Sequence, residues 1–146
     1  GRKICRIGWA AYGAKNLANL TEDELGKQRW IGFAEPLLLA SAAQWLERQI
    51  DPSRFIVRVN SLLGVSEAIQ AGVGLGVLPC FVGDRIPQLT RIAGPTPVCN
   101  EDLWLLTHPD LKHAARIRAF MDYVWSTLLP QRAAIEGRIS DGAAVA

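Results

Sequence analysis

Residues 60–79 read NSLLGVSEAIQAGVGLGVLP, and the order of signals in this stretch decides the fold. Phe55, Val57 and Val59 alternate into it with the period of a strand. Ser61 is a good N-cap, because its hydroxyl can accept from the free amides of a first helical turn. Leu62, Val65 and Ile69 recur at spacings of three and four, as on one face of a short helix. Gly72, Gly74 and Gly76 stop that helix and let the backbone turn tightly. Val77 and Leu78 resume as a buried strand, which Pro79 ends. Strand, helix and strand so closely joined predict a βαβ unit, with its two parallel strands side by side.

Such a unit also makes a site. Ligands of open parallel sheets bind at the carboxyl ends of the strands. Asn60 and Ser61 fall at that end, and a helix starting there aims unpaired N–H groups and a positive dipole end outward. That arrangement suits a carboxylate or another anion. The plainer reading is that Ser61 only caps its helix.

Working outward, the elements alternate between strand and helix. Residues 4–12 are strand-like, and residues 13–20 form a polar connection. Thr21 and Glu24 spell a capping box over one helical turn. Residues 30–33 read as a short buried strand. Glu35-Pro36 then opens a helix whose apolar face carries Leu38, Ala42, Trp45 and Leu46, and Asp51-Pro52 ends it. Beyond Pro79 the glycines and prolines predict loop, with a short strand at 88–93. Residues 103–107 are a compact apolar strand. Pro109-Asp110 starts the longest helix, striped by Ile117, Phe120, Met121, Val124 and Leu128. Residues 131–146 are small, alanine-rich and aperiodic, and are expected to fray; Ile135-Glu136-Gly137-Arg138 within them spells a processing-protease recognition sequence.

Composition bounds the function. The chain has 146 residues, 49% hydrophobic and 21% charged, enough for one globular domain with a sizeable core. A net charge of +2 without a basic run does not point to nucleic acid. Lys112, His113, Arg116 and Arg118 read as the solvated face of the last helix. No apolar stretch is long enough to span a bilayer. Cys5, Cys80 and Cys99 are odd in number and widely spaced, which favours free thiols and a reducing, cytoplasmic setting. The glycine run GVGLG is not a dinucleotide fingerprint, because it follows a helix and opens a strand. His108 and His113 lack the spacing of a zinc-protease helix, and no G-x-S-x-G elbow surrounds Ser61. No catalytic residue, metal site or cofactor is therefore assigned.

The runs VRVNSLLGVSEAIQAGVGLGVLPCFVGD and LWLLTHPDLKHAARIRAFMDYV, preceded by IGWAAYGAKNL and RWIGFAEPL, resemble the effector-binding domain of LysR-type transcriptional regulators. The resemblance covers roughly residues 3–130 and rests on the order of the pieces, since none is a strict motif. It implies an α/β fold: a periplasmic-binding-protein type II-like lobe with a mixed, mostly parallel sheet flanked by helices, plus crossover strands and a C-terminal helix. On that pattern 1–12 is the outward crossover and 13–100 the second lobe. Residues 101–130 hold the return crossover and the first lobe's C-terminal helix, and 131–146 a disordered tail. The winged helix-turn-helix and most of the first lobe have no counterpart here, so the chain reads as a C-terminal fragment. The bare stripe on the last helix is expected to dock on another chain or to stay exposed and sticky.

The resemblance further implies a non-enzymatic sensor. Its effector site would be lined by Asn60, Ser61, Leu62, Phe33, Glu35, Val77 and Leu78, and its hinge formed by Ala11, Tyr12, Leu105 and Leu106. The implied partners are a small-molecule effector, such as a carboxylate, and further copies of the chain. DNA would be reached only through the helix-turn-helix domain, and no membrane is involved. Two alternatives differ in class. One is a solute-binding protein of the same fold serving a transporter, which calls for a secretion signal. The other is an enzyme with an α/β cleft, which calls for a nucleophilic or acid–base constellation.

Overall fold

A computed structural model describes residues 1–93 and 101–138. The strand expected over 4–12 is two strands, β1 (Arg2–Ile7) and β2 (Trp9–Ala14), which Gly8 separates. They serve different sheets. β1 pairs antiparallel with β7 (Glu101–Leu105) in a two-stranded ribbon, Arg2 facing Leu105 and Ile7 facing Glu101. β2 lies inside a lobe, between β5 (Gly76–Pro79) and β6 (Leu89–Ala93), antiparallel to both.

The lobe is completed by β3 (Trp30–Phe33) and β4 (Phe55–Val59), the parallel pair among the described residues. β3 also meets the chain just before β5. Ile31 donates its amide to the Leu75 carbonyl at 2.8 Å, and Leu75 donates to the Arg29 carbonyl at 2.8 Å. The strand order is thus β4-β3-β5-β2-β6, which corrects two expectations. The strands of the βαβ unit do run parallel, but β3 lies between them. The sheet pairing is also mostly antiparallel rather than mostly parallel. The cause is β2, which enters at the end where β5 finishes, with Trp9 opposite Pro79. It therefore runs against β5, and β6 returns alongside it, also antiparallel.

Helices cover both faces of the lobe. On one lies α3 (Leu62–Gln70), whose Val65 and Ile69 are fully buried. Gly76 permits this close approach: a Cβ there would stand 2.7 Å from Val65 and 2.9 Å from Ile69. Successive strand residues alternate faces. Val59 points toward α3, so Arg58 points away, and it forms a two-pronged ion pair with Glu47 of α2 (Ser41–Gln49) on the opposite face. Ala42, Ala43 and Leu46 bury the inner side of α2. β4 is an edge strand, so Val57, which alternates with Phe55 and Val59, is 37% exposed.

Local signals place most boundaries. In the capping box before α1 (Glu22–Leu25), Thr21 donates its amide to Glu24 Oε2 at 2.8 Å and Glu24 donates its amide to Thr21 Oγ1 at 3.3 Å. Four boundaries differ from expectation, the first being the strand expected at 103–107, which is β7 and ends at Leu105. The helix after Glu35-Pro36 begins only at Ser41, beyond a 3-10 turn at Leu37–Leu39. The loop after Pro79 starts with a helical turn, α4 (Cys80–Gly83). The longest helix, α5 (Ala115–Leu128), starts after a 3-10 turn at Pro109–Leu111. Its stripe is only partly used: Met121 is buried, whereas Phe120 is 61% exposed. Trp125 and Leu128 pack against Ile4, Cys5 and Ile135 beneath the ribbon.

The described part of the expected tail is ordered. Residues 132–135 form α6 (Arg132–Ile135), and Ile135 is buried against β1 because the ribbon leaves an apolar face to cover. Residues 139–146 and Cys99 lie outside the described residues.

Candidate functional site

The carboxyl ends of β3, β4 and β5 and the amino end of β2 open at one end of the lobe. The parallel register opposes Phe33 to Val59, and Ala34 donates its amide to the Val59 carbonyl at 2.8 Å. The chain then continues into Glu35 on one side and into Asn60 and Ser61 on the other, and all three are exposed. Ser61 is extended (φ −146°, ψ 148°), and its Oγ accepts from the Gly64 amide at 3.0 Å. That uses one of the free donors of the first turn of α3. No described residue accepts from the amides of Leu62 or Leu63. These donors and the helix dipole give the start of α3 a local positive potential.

Of the seven residues assigned to the effector site, Glu35, Asn60, Ser61 and half-buried Leu62 are brought together at this opening. Phe33, Val77 and Leu78 are no more than 3% exposed and lie in the core beneath it. The four hinge residues are not brought together. Ala11 and Tyr12 are buried in mid-lobe, where Ala11 pairs with Val77, while Leu105 pairs with Arg2 at the far end of the ribbon and Leu106 is 70% exposed.

Two features of the mouth were not anticipated from sequence. Glu101, the first residue of β7, seats its carboxylate on the start of α2: Oε1 accepts from both the amide and the Oγ of Ser41, each at 3.0 Å. The two partners are 60 residues apart, and no local signal links them. The second is Trp9, which is 5% exposed and whose indole Nε1 has no partner among the described residues.

The buried thiols and the buried phenol are not set up for nucleophilic chemistry. Burial pushes the Cys80 thiol up from its ordinary value, and the same holds for Cys5. Thiolate character, which reactivity needs, is thereby suppressed. Burial and the bond to Asp84 likewise raise the Tyr12 phenol. No group of three metal-ligating side chains occurs among the described residues, and no described helix is long and apolar enough to cross a membrane.

The LysR substrate binding domain family matches residues 3–128. Several solved structures are similar. The regulatory domain of CrgA, a LysR-type transcriptional regulator from Neisseria meningitidis, superposes with a TM-score of 0.65 at 18% identity, over 87% of this chain and 68% of that one. The AmpR effector binding domain from Citrobacter freundii gives 0.56 at 15% identity, over 86% and 67%. The regulatory domain of AphB from Vibrio vulnificus gives 0.54 at 20% identity, over 86% and 68%. At these identities the superpositions speak for the fold. No curated protein matches the chain significantly.

Proposed function

Since the chain belongs to the family of LysR substrate-binding domains, we propose that the mouth of its lobe is one wall of an effector cleft and that the effector is a small carboxylate. The domain is the effector-binding part of a LysR-type transcriptional regulator, in a non-enzymatic family. The observation that carries the ligand class is the start of α3, where the Leu62 and Leu63 amides have no described acceptor beside exposed Asn60 and Ser61. Glu101 on the start of α2 supports it, since a helix start in this same lobe already holds a carboxylate. Glu35, exposed on the adjoining strand end, disfavours a second negative charge by Coulomb repulsion. A monocarboxylate is therefore favoured over a dicarboxylate.

The mechanism is linkage. A ligand that binds one arrangement of the domain better shifts the population toward it, by as much as its differential affinity allows. In the whole regulator that shift would reach DNA through a helix-turn-helix domain and an assembly of several copies, in the cytoplasm.

Leu62→Pro tests the seat. Leu62 is the first residue of α3, where proline is tolerated, and Ser61 before it is already extended as a pre-proline residue must be. The substitution removes one free amide while sparing the helix. Thermal shift against panels of monocarboxylates, dicarboxylates and amines should give a rise for monocarboxylates. At a hundredfold excess over Kd the stabilisation is about 2.7 kcal/mol. Leu62→Pro should reduce the rise markedly. A rise with amines alone, or one that Leu62→Pro leaves intact, would overturn the reading.

A further inference from the structure

We propose that the turn formed by residues 132–138 is a clasp that holds the angle between the β1–β7 ribbon and the lobe, with its pivot at Gly8. This inference does not depend on the identity of the effector. The lobe and the ribbon have distinct apolar cores, bridged by Ile7, which packs against both. Between β1, which belongs to the ribbon, and β2, which belongs to the lobe, stands the single residue Gly8.

The turn is fastened at that residue and on both sides of it. Gly8 donates its amide to the Ile135 carbonyl at 2.9 Å, while its own carbonyl accepts from the Cys80 amide of the lobe at 2.8 Å. A Cβ at position 8 would lie 2.4 Å from the Glu136 carbonyl oxygen, so any larger residue must push the turn away. On the ribbon side, Ile135 is buried against Ile4 and Cys5, and the Glu136 carboxylate accepts from the Arg6 amide at 3.4 Å. On the lobe side, Arg91 of β6 donates from Nη1 to the Gly137 carbonyl at 2.8 Å.

The shape of the turn makes the last contact possible. Gly137 adopts φ +70°, the left-handed conformation that ends a helix at little cost only in glycine. The Gly137 and Arg138 amides return to Ala134 and Ala133 at 3.1 and 2.9 Å, which leaves the Gly137 carbonyl facing Arg91. Arg91 is itself held by Asp84. A change in the angle at Gly8 strains the Ile135 and Arg91 bonds of the clasp, and with them the Glu101–Ser41 bonds that also join ribbon to lobe.

The clasp carries its own reporter. Ile135-Glu136-Gly137-Arg138 is the recognition sequence of factor Xa, a protease that requires an extended substrate. In the clasp this segment is helical at Ile135 and left-handed at Gly137. Cleavage after Arg138 therefore reads the open population, which governs the rate when opening is fast relative to cutting.

The experiment compares the chain with Gly8→Ala, with Ile4→Ala, and with a free peptide of residues 131–142. Ile4→Ala removes the surface beneath Ile135 without touching the junction, and so serves if Gly8→Ala does not fold. The unaltered chain should be cut at least about tenfold more slowly than the peptide, and either variant at least about tenfold faster than the unaltered chain. Hydrogen exchange of α3 and β5 should stay unchanged in a variant so opened. Residual dipolar couplings should fit one alignment for ribbon and lobe in the unaltered chain, and two in the variant. Cutting of the unaltered chain at the peptide's rate would overturn the proposal. So would loss of α3 and β5 protection in step with cleavage, or a single alignment in an opened variant.

Discussion

Replacing Asp84 by alanine should destabilise the lobe more than removing the hydroxyl that binds it. Tyr12, 1% exposed in β2, donates its hydroxyl to Asp84 Oδ1 at 2.7 Å. Arg91 donates to the same carboxylate, from Nη2 to Oδ2 at 2.5 Å and from Nε to Oδ1 at 3.3 Å. The pair is well shielded, with side-chain exposures of 12% for Arg91 and 20% for Asp84. Tyr12→Phe removes one hydrogen bond to a charged acceptor but leaves Asp84 paired, so the cost is about 1.5–2 kcal/mol. Asp84→Ala strips that acceptor from both donors and leaves a partly buried guanidinium with the Gly137 carbonyl but no counter-charge, which costs about 3 kcal/mol, the low end for a broken buried pair. In the double variant no hydroxyl is stranded. The two effects should fall short of additivity by about 1–2 kcal/mol, the coupling of groups in one network. For a domain of this size about 4 °C of melting temperature accompanies each kcal/mol. Urea and thermal unfolding of the four proteins, followed by circular dichroism, give the cycle. Strict additivity, or an Asp84→Ala loss no larger than that of Tyr12→Phe, would refute the reasoning.

Two further outcomes follow from burial. The Tyr12 phenol and the Cys5 and Cys80 thiols are held above their ordinary values of 10.0 and 9.0, burial being the largest cause for each. Their neutral forms are thus favoured by the native state, and the unfolded chain releases its protons first. Stability from these groups is complete below about pH 8.5 and falls as pH rises, more steeply above about pH 10, by up to about 1.4 kcal/mol per pH unit for each group in its window. Urea midpoints between about pH 8 and pH 10.5 check this, and Tyr12→Phe should remove the steeper branch; a flat midpoint would contradict it. Gly76→Ala would place a methyl 2.7 Å from Val65 and 2.9 Å from Ile69, forcing α3 off the sheet. The expected cost is about 1–3 kcal/mol by denaturant unfolding, and a neutral result would mean that α3 yields freely there.

What could be read before folding is what a few neighbouring residues encode. Ser61 caps α3 as its position before a helical run indicated, and the three glycines after that helix do end it and admit β5. The strand at Trp30–Phe33 and the Thr21–Glu24 box follow from patterns no longer than four residues. The family resemblance came from the order of such pieces, and the matching span of residues 3–128 agrees with it. Periodicity served less well where exposure depends on what lies opposite. Phe120 belongs to the apolar stripe of α5 yet faces outward, and Val57 alternates correctly on a strand that is an edge.

By itself, then, the sequence determined most of the elements, their order, the Thr21 and Ser61 caps and the end of the sheet at which Asn60 and Ser61 stand. Each of these is set by backbone preferences and hydrogen bonds within about one helical turn. Tertiary structure alone decided that β3 slips between β4 and β5, because adjacency is fixed by which apolar faces can be covered together. It also decided that Phe33, Val77 and Leu78 lie under the site rather than in it. Only the folded chain brings Glu101 to Ser41 across 60 residues, and Glu136 to Arg6 across 130. Neither partner in such a pair has a neighbour in the chain that announces the other. Their meeting is a consequence of where two sheets cross, at a glycine whose missing side chain leaves room for the turn that holds them.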